Sequence, residues 1–284
     1  MSADSIFTIH RFVIPVKALN LPIYLIPFGD IHRFAHLCDV KKWQEFLDWA
    51  KRKKNAYFLG MGDYDDLISC SERQALTEVM FHDETRLTLE ELFVSRTEKL
   101  CKEMGFMRNK LIGLLEGNHF GTFQSGMTTT QVMADKLNCK YLGISAFIRL
   151  LFIYGDRRFD IDIWAHHGKG ASRLVGGSLN TVQQMSDCAE ADIYLMGHDH
   201  KKSVAMKTKL MLHSSGSGIS LSHSKVLMAR TGSFLRGYVE DQPSYIARGA
   251  MSPTDMGVIK IELTPKRYTK EDKNLFYIDI HASL

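Results

Sequence analysis

Short apolar runs alternate with helical stretches over the first two thirds of the chain. Five runs are strand-length, apolar and followed at once by Gly, Asp or His; they are 23–28, 56–61, 110–115, 159–165 and 192–196. Apolar residues recur at helical spacing in the segments between them, within 40–50, 89–104, 130–137 and 179–189. This alternation predicts an α/β fold over residues 20–200, with helices covering a sheet.

After His200 the pattern changes, and strand-like segments joined by Gly and Ser dominate; they are 203–214, 224–229, 257–263 and 275–280. No linker rich in Pro, Gly or Ser marks the transition. We therefore predict one domain over 1–284, with a motif-bearing α/β core at 1–200 and a β-rich C-terminal part at 201–284.

The composition is that of an ordinary folded protein. Hydrophobic residues make up 45% and charged residues 24% of the 284, which excludes disordered and collagen-like classes. The five cysteines are widely spaced and contain no Cys-x-x-Cys pair, and no signal peptide or membrane-spanning run is apparent. We expect a reduced, cytoplasmic protein without a membrane span. The net charge of +4 leaves the class of partner open.

Polar residues of metal-ligand type follow every one of the five predicted strands. The segments are Gly29-Asp30-Ile31-His32, Gly60-Met61-Gly62-Asp63-Tyr64-Asp65-Asp66, Gly117-Asn118-His119, His166-His167-Gly168 and Gly197-His198-Asp199-His200. Ligands of open α/β folds lie beyond the carboxyl ends of strands. In extended backbone, residues i and i+2 project to the same side, so Asp30 with His32, and His198 with His200, can each converge on one site.

These donors predict a metal centre. Imidazole, carboxylate and amide oxygen suit Mn, Fe, Zn or Ni, and the absence of nearby cysteine argues against a structural zinc site. The alternative is that the residues serve only as turn and capping residues, but turn chemistry does not require histidine at these offsets.

The ordered series D-x-H, G-D-x-x-D, G-N-H, a lone His and G-H-x-H resembles the signature of the calcineurin-like metallophosphoesterase superfamily, and it spans residues 30–200. The resemblance implies a four-layer α-β-β-α sandwich, in which two facing mixed β-sheets are flanked by helices. It also implies two divalent metal ions, most often Mn, with Fe, Zn or Ni as alternatives. Asp30, His32, Asp63 and His200 would hold the first ion, and Asp63, Asn118, the lone His and His198 the second.

The same resemblance implies a reaction. By that resemblance, a hydroxide bridging the metals would attack phosphorus, and His119 would stabilise the transition state or protonate the leaving oxygen. Either His166 or His167 can be the lone histidine ligand. The family's spacing of this histidine to a following Gly or Pro favours His166, which would leave His167 beside the metals or facing the substrate. Asp66 would orient a ligand histidine. Phe120 departs from the family, which usually has an acidic residue after G-N-H.

A basic segment follows the last motif. Residues 201–248 carry eight Lys and Arg against two acidic residues, a local charge of +6 that leaves the remainder near −2. The segment includes 230–238, Arg-Thr-Gly-Ser-Phe-Leu-Arg-Gly-Tyr, which is similar to uncharacterised phage and archaeal members of the superfamily. We expect Arg230 and Arg236 to contact phosphate oxygens of a polyanionic substrate. The alternative is a solvated hairpin face.

The resemblance thus implies a metal-dependent phosphoric ester hydrolase. We predict a phosphodiesterase, and more specifically a nuclease related to DNA-repair nucleases of the superfamily, acting on DNA or RNA. The first alternative is a phosphomonoesterase acting on small phosphate esters or a phosphoprotein. A catalytically silent scaffold is the second alternative, and the retention of His119 and of every predicted ligand argues against it. The oligomeric state is left open.

Overall fold

Two mixed β-sheets form the centre of the molecule in this computed structural model, which describes residues 9–69, 71–73, 82–170, 172, 174–215, 218–270 and 273–284. The strands along the chain are β1 Ile9–Pro15, β2 Ile23–Phe28, β3 Ala56–Gly60, β4 Leu111–Leu114, β5 Lys140–Tyr141, β6 Ser145–Tyr154, β7 Arg157–His166, β8 Ile193–Met196, β9 Lys202–Ser215, β10 Gly218–Thr231, β11 Lys260–Lys270 and β12 Lys273–Ser283. The strand order is β1-β6-β7-β8-β10-β9 in the first sheet and β12-β11-β2-β3-β4-β5 in the second.

Helices cover the outer faces of both sheets. They are α1 Val40–Arg52, α2 Asp83–Met104, α3 Thr129–Leu137, α4 Val175–Cys188 and the short α5 Tyr245–Arg248, with a 3₁₀ turn at Gly105–Met107. Helix α1 begins after Asp39, whose carboxylate accepts the Lys42 amide, and α3 begins with a capping box between Thr128 and Gln131. No helix in the described part of the chain is long and apolar enough to cross a bilayer.

Alternation along the strands separates the core into layers. In β2, Leu25 packs between the sheets with Ile163 of β7, whereas Phe28 packs outward against Trp43 of α1. On the far side, Met185 of α4 packs against the first sheet. The resulting order of helices, sheet, sheet and helix confirms the predicted four-layer α/β architecture.

The C-terminal part is mostly strands, as predicted, and it supplies both sheets. The β9–β10 hairpin extends the first sheet beyond β8, and the β11–β12 hairpin extends the second beyond β2. The five predicted strands correspond to β2, β3, β4, β7 and β8. Because β2, β3 and β4 are mutually parallel, as are β7 and β8, their carboxyl ends bring the motif loops together.

Candidate metal centre

Two groups of candidate imidazole and carboxylate ligands meet at the carboxyl ends of the strands, and a third, formed by His32, Asp66 and His119, adjoins the first. Asp30, His32 and His200 each offer one ligand atom, and these atoms lie within 4.8 Å of one another. Asp63, His167 and His198 form a second such group. The strand ends therefore bring together the residues that the motifs single out, with one exchange between neighbouring histidines that is described below.

Asp63 lies between the two groups. Its Oδ2 is 3.8 Å from His32 Nε2 in the first group and 3.3 Å from His167 Nε2 in the second. Its Oδ1 accepts hydrogen bonds from the amides of Asn118 and His119, at 2.8 and 2.9 Å. One carboxylate oxygen is thus held by the G-N-H loop while the other faces both groups, which is the arrangement a bridging ligand needs.

Two of the converging atoms are buried without a hydrogen-bond partner. They are Asp30 Oδ1 and His32 Nε2, and each belongs to a side chain whose other polar atom is well bonded. Asp30 Oδ2 accepts the His198 amide at 2.9 Å, and His32 Nδ1 lies 3.0 Å from Asp66 Oδ1. A buried acceptor without a partner is costly unless something else binds it. A divalent cation would satisfy both atoms, since carboxylate oxygen and imidazole nitrogen are common metal ligands.

The geometry places His167, not His166, in the second group, which corrects the preference drawn from motif spacing. His167 is 2% exposed; its Nδ1 lies 2.8 Å from the Met61 carbonyl and its Nε2 3.0 Å from Asn118 Oδ1. His166 Nδ1 instead accepts the Gly168 amide at 2.7 Å. Strand alternation explains the difference, since His166 shares the α4 side with Trp164 while Ala165 and His167 point toward the other sheet.

The ligand loops adopt left-handed backbone conformations rather than the extended ones expected from sequence. The positive φ angles are 46° at Asp30 and His32, 50° at Asp63, 72° at His198 and 57° at His200. His198 and His200 consequently join different groups. Such conformations cost on the order of 1–3 kcal/mol each outside glycine and cluster at functional sites. Gly117 permits the close approach, because a Cβ there would lie 1.9 Å from Asp63 Oδ1.

The charges of the site are coupled. Burial opposes ionisation of Asp63, but the hydrogen bond and positive charge of His167 outweigh it and hold the pKa of Asp63 well below its usual range. Burial likewise opposes protonation of His167, yet Asp63 raises the pKa of this imidazole to about 9. Burial would raise the pKa of Asp30, but the imidazole of His200, whose Nε2 lies 3.5 Å from Asp30 Oδ1, lowers it. Both carboxylates are therefore ionised at neutral pH.

His119 lies at the edge of the centre and is partly accessible. Its ring centroid is 5.0 Å from that of His32, its Nδ1 is 3.6 Å from Asp66 Oδ1, and its side chain is 24% exposed. Burial lowers the pKa of His119, so the imidazole is mostly neutral at pH 7. Asp66 thus contacts His32 as expected and also faces His119.

The structure assigns Arg230 to the support of the last motif rather than to substrate contact. Arg230 is 1% exposed, donates to the Gly197 and Ser178 carbonyls at 2.8 and 3.1 Å, and lies 3.5 Å from Asp199 Oδ2. The Ser178 hydroxyl also donates to Asp199. This buried cluster anchors the loop of His198 to α4 and β10.

The loop of the basic segment lies against the metal centre, since the Ser233 hydroxyl and the Phe234 amide donate to the Asp30 carbonyl, but its Arg236 has a partner outside the site. Arg236 donates to Asp39 at the start of α1, at 3.0 Å. The remaining basic residues with acidic partners pair elsewhere, Lys202 with Asp255 and Lys225 with Asp279. The number of basic residues in a segment does not predict which of their side chains face the site.

Arg73 is a site residue that the motifs do not indicate. Its Nη1 donates to the carbonyls of Asn118 and Phe120, at 3.0 and 3.2 Å, and its guanidinium lies 3.8 Å from the centre of the Phe120 ring. Arg73 therefore braces both sides of His119 from 45 residues away in sequence. Phe120, the departure from the family pattern, provides the surface on which this arginine stacks.

Comparisons with known proteins give a limited likeness. No family model matches the chain, and no curated protein matches it. Among solved structures, Vacuolar Protein Sorting 29 from Cryptosporidium parvum has a TM-score of 0.35 and 14% identity, covering 92% of this chain and 99% of that one. A conserved uncharacterised protein from Streptococcus pneumoniae, described as a predicted phosphoesterase, has a TM-score of 0.33 and 13% identity, covering 91% and 99%. With TM-scores this low, the likenesses carry no weight in assigning a function, which rests on the geometry of the site.

Proposed function

We propose that the chain is a metal-dependent phosphoesterase of the calcineurin-like type that hydrolyses phosphate diesters, with nucleic acid as the expected substrate. The observation that carries the proposal is Asp63 Oδ2, which faces two ligand groups at once. The buried Asp30 Oδ1 and His32 Nε2, both without hydrogen-bond partners, support it. Asp30, His32, Asp63 and His200 would hold one cation; Asp63, Asn118, His167 and His198 would hold the other.

Divalent cations at such a site neutralise phosphoryl oxygens and lower the pKa of water to near neutrality. The protein's own groups orient this chemistry. The Nδ1 of His167 is fixed by the Met61 carbonyl. Its Nε2 is therefore the atom that would bind a metal, on the side where Asp63 and Asn118 lie. Asp66 likewise fixes the Nδ1 of His32, which leaves His32 Nε2 as the atom that would bind a metal.

His119 is the residue we assign to proton transfer. A proton on its Nδ1 would face Asp66 Oδ1, 3.6 Å away, and this leaves Nε2 to exchange a proton with the leaving oxygen. The partial exposure of His119 allows a substrate to reach it.

The test is turnover by manganese-loaded protein of four substrates: bis-p-nitrophenyl phosphate, p-nitrophenyl phosphate, single-stranded DNA and duplex DNA. We expect hydrolysis of the diester and of at least one DNA. Turnover of the monoester alone would favour the phosphomonoesterase alternative. Bound metal without turnover of any substrate would favour a silent scaffold.

A matched pair of histidine variants tests the role of His119. His119→Ala should retain bound metal and lose about 10²–10⁴-fold in kcat, the usual contribution of general acid–base catalysis. His36→Ala removes an exposed histidine four positions after His32 and should leave kcat unchanged. Equal rates for the two variants would remove His119 from the mechanism.

A further inference from the structure

One β-hairpin extends well beyond the first sheet. Strand β10 pairs with β8 only over Leu227–Arg230, whereas its pairing with β9 continues to Gly218. Residues 207–215 and 218–226, which we call the arm, thus form a two-stranded extension of about 30 Å at 3.3 Å per residue. Because β10 is parallel to β8, whose carboxyl end leads to the metal centre, the arm points away from that centre.

One face of the arm is apolar and uncovered. Leu210, Leu212, Ile219 and Leu221 are between 59% and 78% exposed. The register places Leu212 opposite Leu221, and alternation places both on the same face as Leu227, which is fully buried between the sheets. The core-facing side of the sheet therefore continues outward past Lys225, which lies 3.5 Å from Asp279 of β12, and the four apolar side chains beyond that contact stay largely exposed. A contiguous exposed apolar surface of this kind marks an interaction site.

The arm also carries three lysines, Lys207, Lys209 and Lys225, and no acidic residue. Residues 201–239 contain seven Lys and Arg and no Asp or Glu. On β9, Lys207 and Lys209 alternate with Leu210 and Leu212, so charged and apolar side chains project to opposite faces. Part of the basic segment 201–248 thus lies on this hairpin.

The outer edge of the arm is open to another strand. Strand β9 is the last strand in the order of the first sheet, and no other described strand pairs with its outer side. A long edge strand presents backbone N–H and C=O groups that favour pairing with another chain. Strand addition of this kind obtains affinity from the backbone and specificity from alternate side chains.

We propose that β9 binds an extended segment of a partner protein in which apolar residues alternate with Asp or Glu. Added along this edge, such a segment would place its apolar side chains beside Leu210 and Leu212 and its carboxylates beside Lys207 and Lys209. A second copy of this chain fits less well. Two β9 strands paired antiparallel would bring the lysines of both copies together, in a segment that contains no acidic residue.

The probe is a synthetic peptide in which Val and Glu alternate, titrated into the full chain and followed by fluorescence anisotropy and by hydrogen exchange of the β9 amides. We expect saturable binding that weakens with salt and protects β9. The same peptide with alternate backbone amides N-methylated should not bind, because it cannot complete the strand ladder. A peptide of alternating Val and Lys should bind at least about tenfold more weakly, a difference of about 1.4 kcal/mol.

Variants of the arm provide the control. Lys207→Glu with Lys209→Glu should weaken binding about tenfold or more, and Leu212→Ser should weaken it severalfold. Leu87→Ser removes a comparably exposed leucine on α2 and should have no effect. Circular dichroism establishes that each variant is folded.

Three outcomes would overturn the proposal. The first is equal binding of the peptide by wild type and arm variants, or no binding up to about 1 mM. The second is that the protein binds no peptide but sediments with phosphatidylserine-containing vesicles, and that Lys207→Glu with Lys209→Glu abolishes this sedimentation. That result would assign the arm to a lipid surface. The third is a dimer in sedimentation velocity that Leu212→Ser dissociates, which would assign the arm to a second copy.

Discussion

Replacing Arg230 with Met should strongly destabilise the fold, whereas the same change at Arg236 should not. Arg230→Met removes the donors to the Gly197 and Ser178 carbonyls and leaves the buried Asp199 carboxylate without its cation. Removing one partner of a buried ion pair costs about 3–5 kcal/mol. Arg236 pairs with Asp39 at the surface, with 45% of its side chain exposed, and such pairs contribute about 0–1 kcal/mol.

The assay is urea denaturation of the metal-free protein in chelator, so that metal binding does not contribute to the free energy of unfolding. A double variant, Arg230→Met with Asp199→Leu, should recover at least about 1 kcal/mol, because it removes the unpaired charge as well. Should Arg230→Met fail to fold, Arg230→Lys keeps the charge and should give an intermediate loss.

Kinetics distinguish this structural role from substrate contact. Folded Arg230 variants, loaded with manganese, should keep the KM for bis-p-nitrophenyl phosphate. If Arg230→Met is as stable as Arg236→Met and raises KM instead, then the guanidinium contacts the substrate and the anchoring role is refuted.

Three further predictions concern the centre itself. His167→Ala should weaken manganese binding at least about 100-fold in isothermal titration, whereas His166→Ala should stay within about threefold; the reverse order would restore His166 as the ligand. In the metal-free protein, the raised pKa of His167 predicts stabilisation that is complete below pH 6.5 and is lost as pH rises through about 9. Urea unfolding across that range should show this decline, and a His167→Gln variant with the same decline would contradict it. Arg73→Gln should lower kcat about tenfold with metal content and KM unchanged, since it loosens the loop that carries His119; a raised KM at constant kcat would indicate substrate contact instead.

The motif loops were predictable because strand ends and ligand types are both local properties of sequence. Asp30, Asp63 and His198 lie where the motifs predict, at the ends of three of the predicted strands. The sequence pattern could also have predicted His167 rather than His166 as the residue that faces the centre. The buried residues Phe159, Ile161, Ile163 and Ala165 share one phase of alternation in β7, and extending that phase by two positions arrives at His167.

The support of the site was not predictable in the same way. Arg230 contacts residues 33 and 52 positions away, so its role depends on how α4 packs against β10. Arg73 belongs to no motif, and its partners are backbone carbonyls, which any sequence presents. Local pattern predicts which residues line the centre, whereas long-range packing decides which residues hold those loops in place.

The left-handed backbone at five candidate ligand positions restricts how metal selectivity could be engineered at this site. Asp, Asn and His are the side chains other than glycine that adopt this conformation most readily. Exchanges among these three types at residues 30, 32, 63, 198 and 200 would therefore change the ligand charge while preserving the loop. A Glu or Cys in the same place would alter the coordination chemistry and the backbone together. A library that screens for altered metal selectivity should accordingly draw on Asp, Asn and His at these five positions.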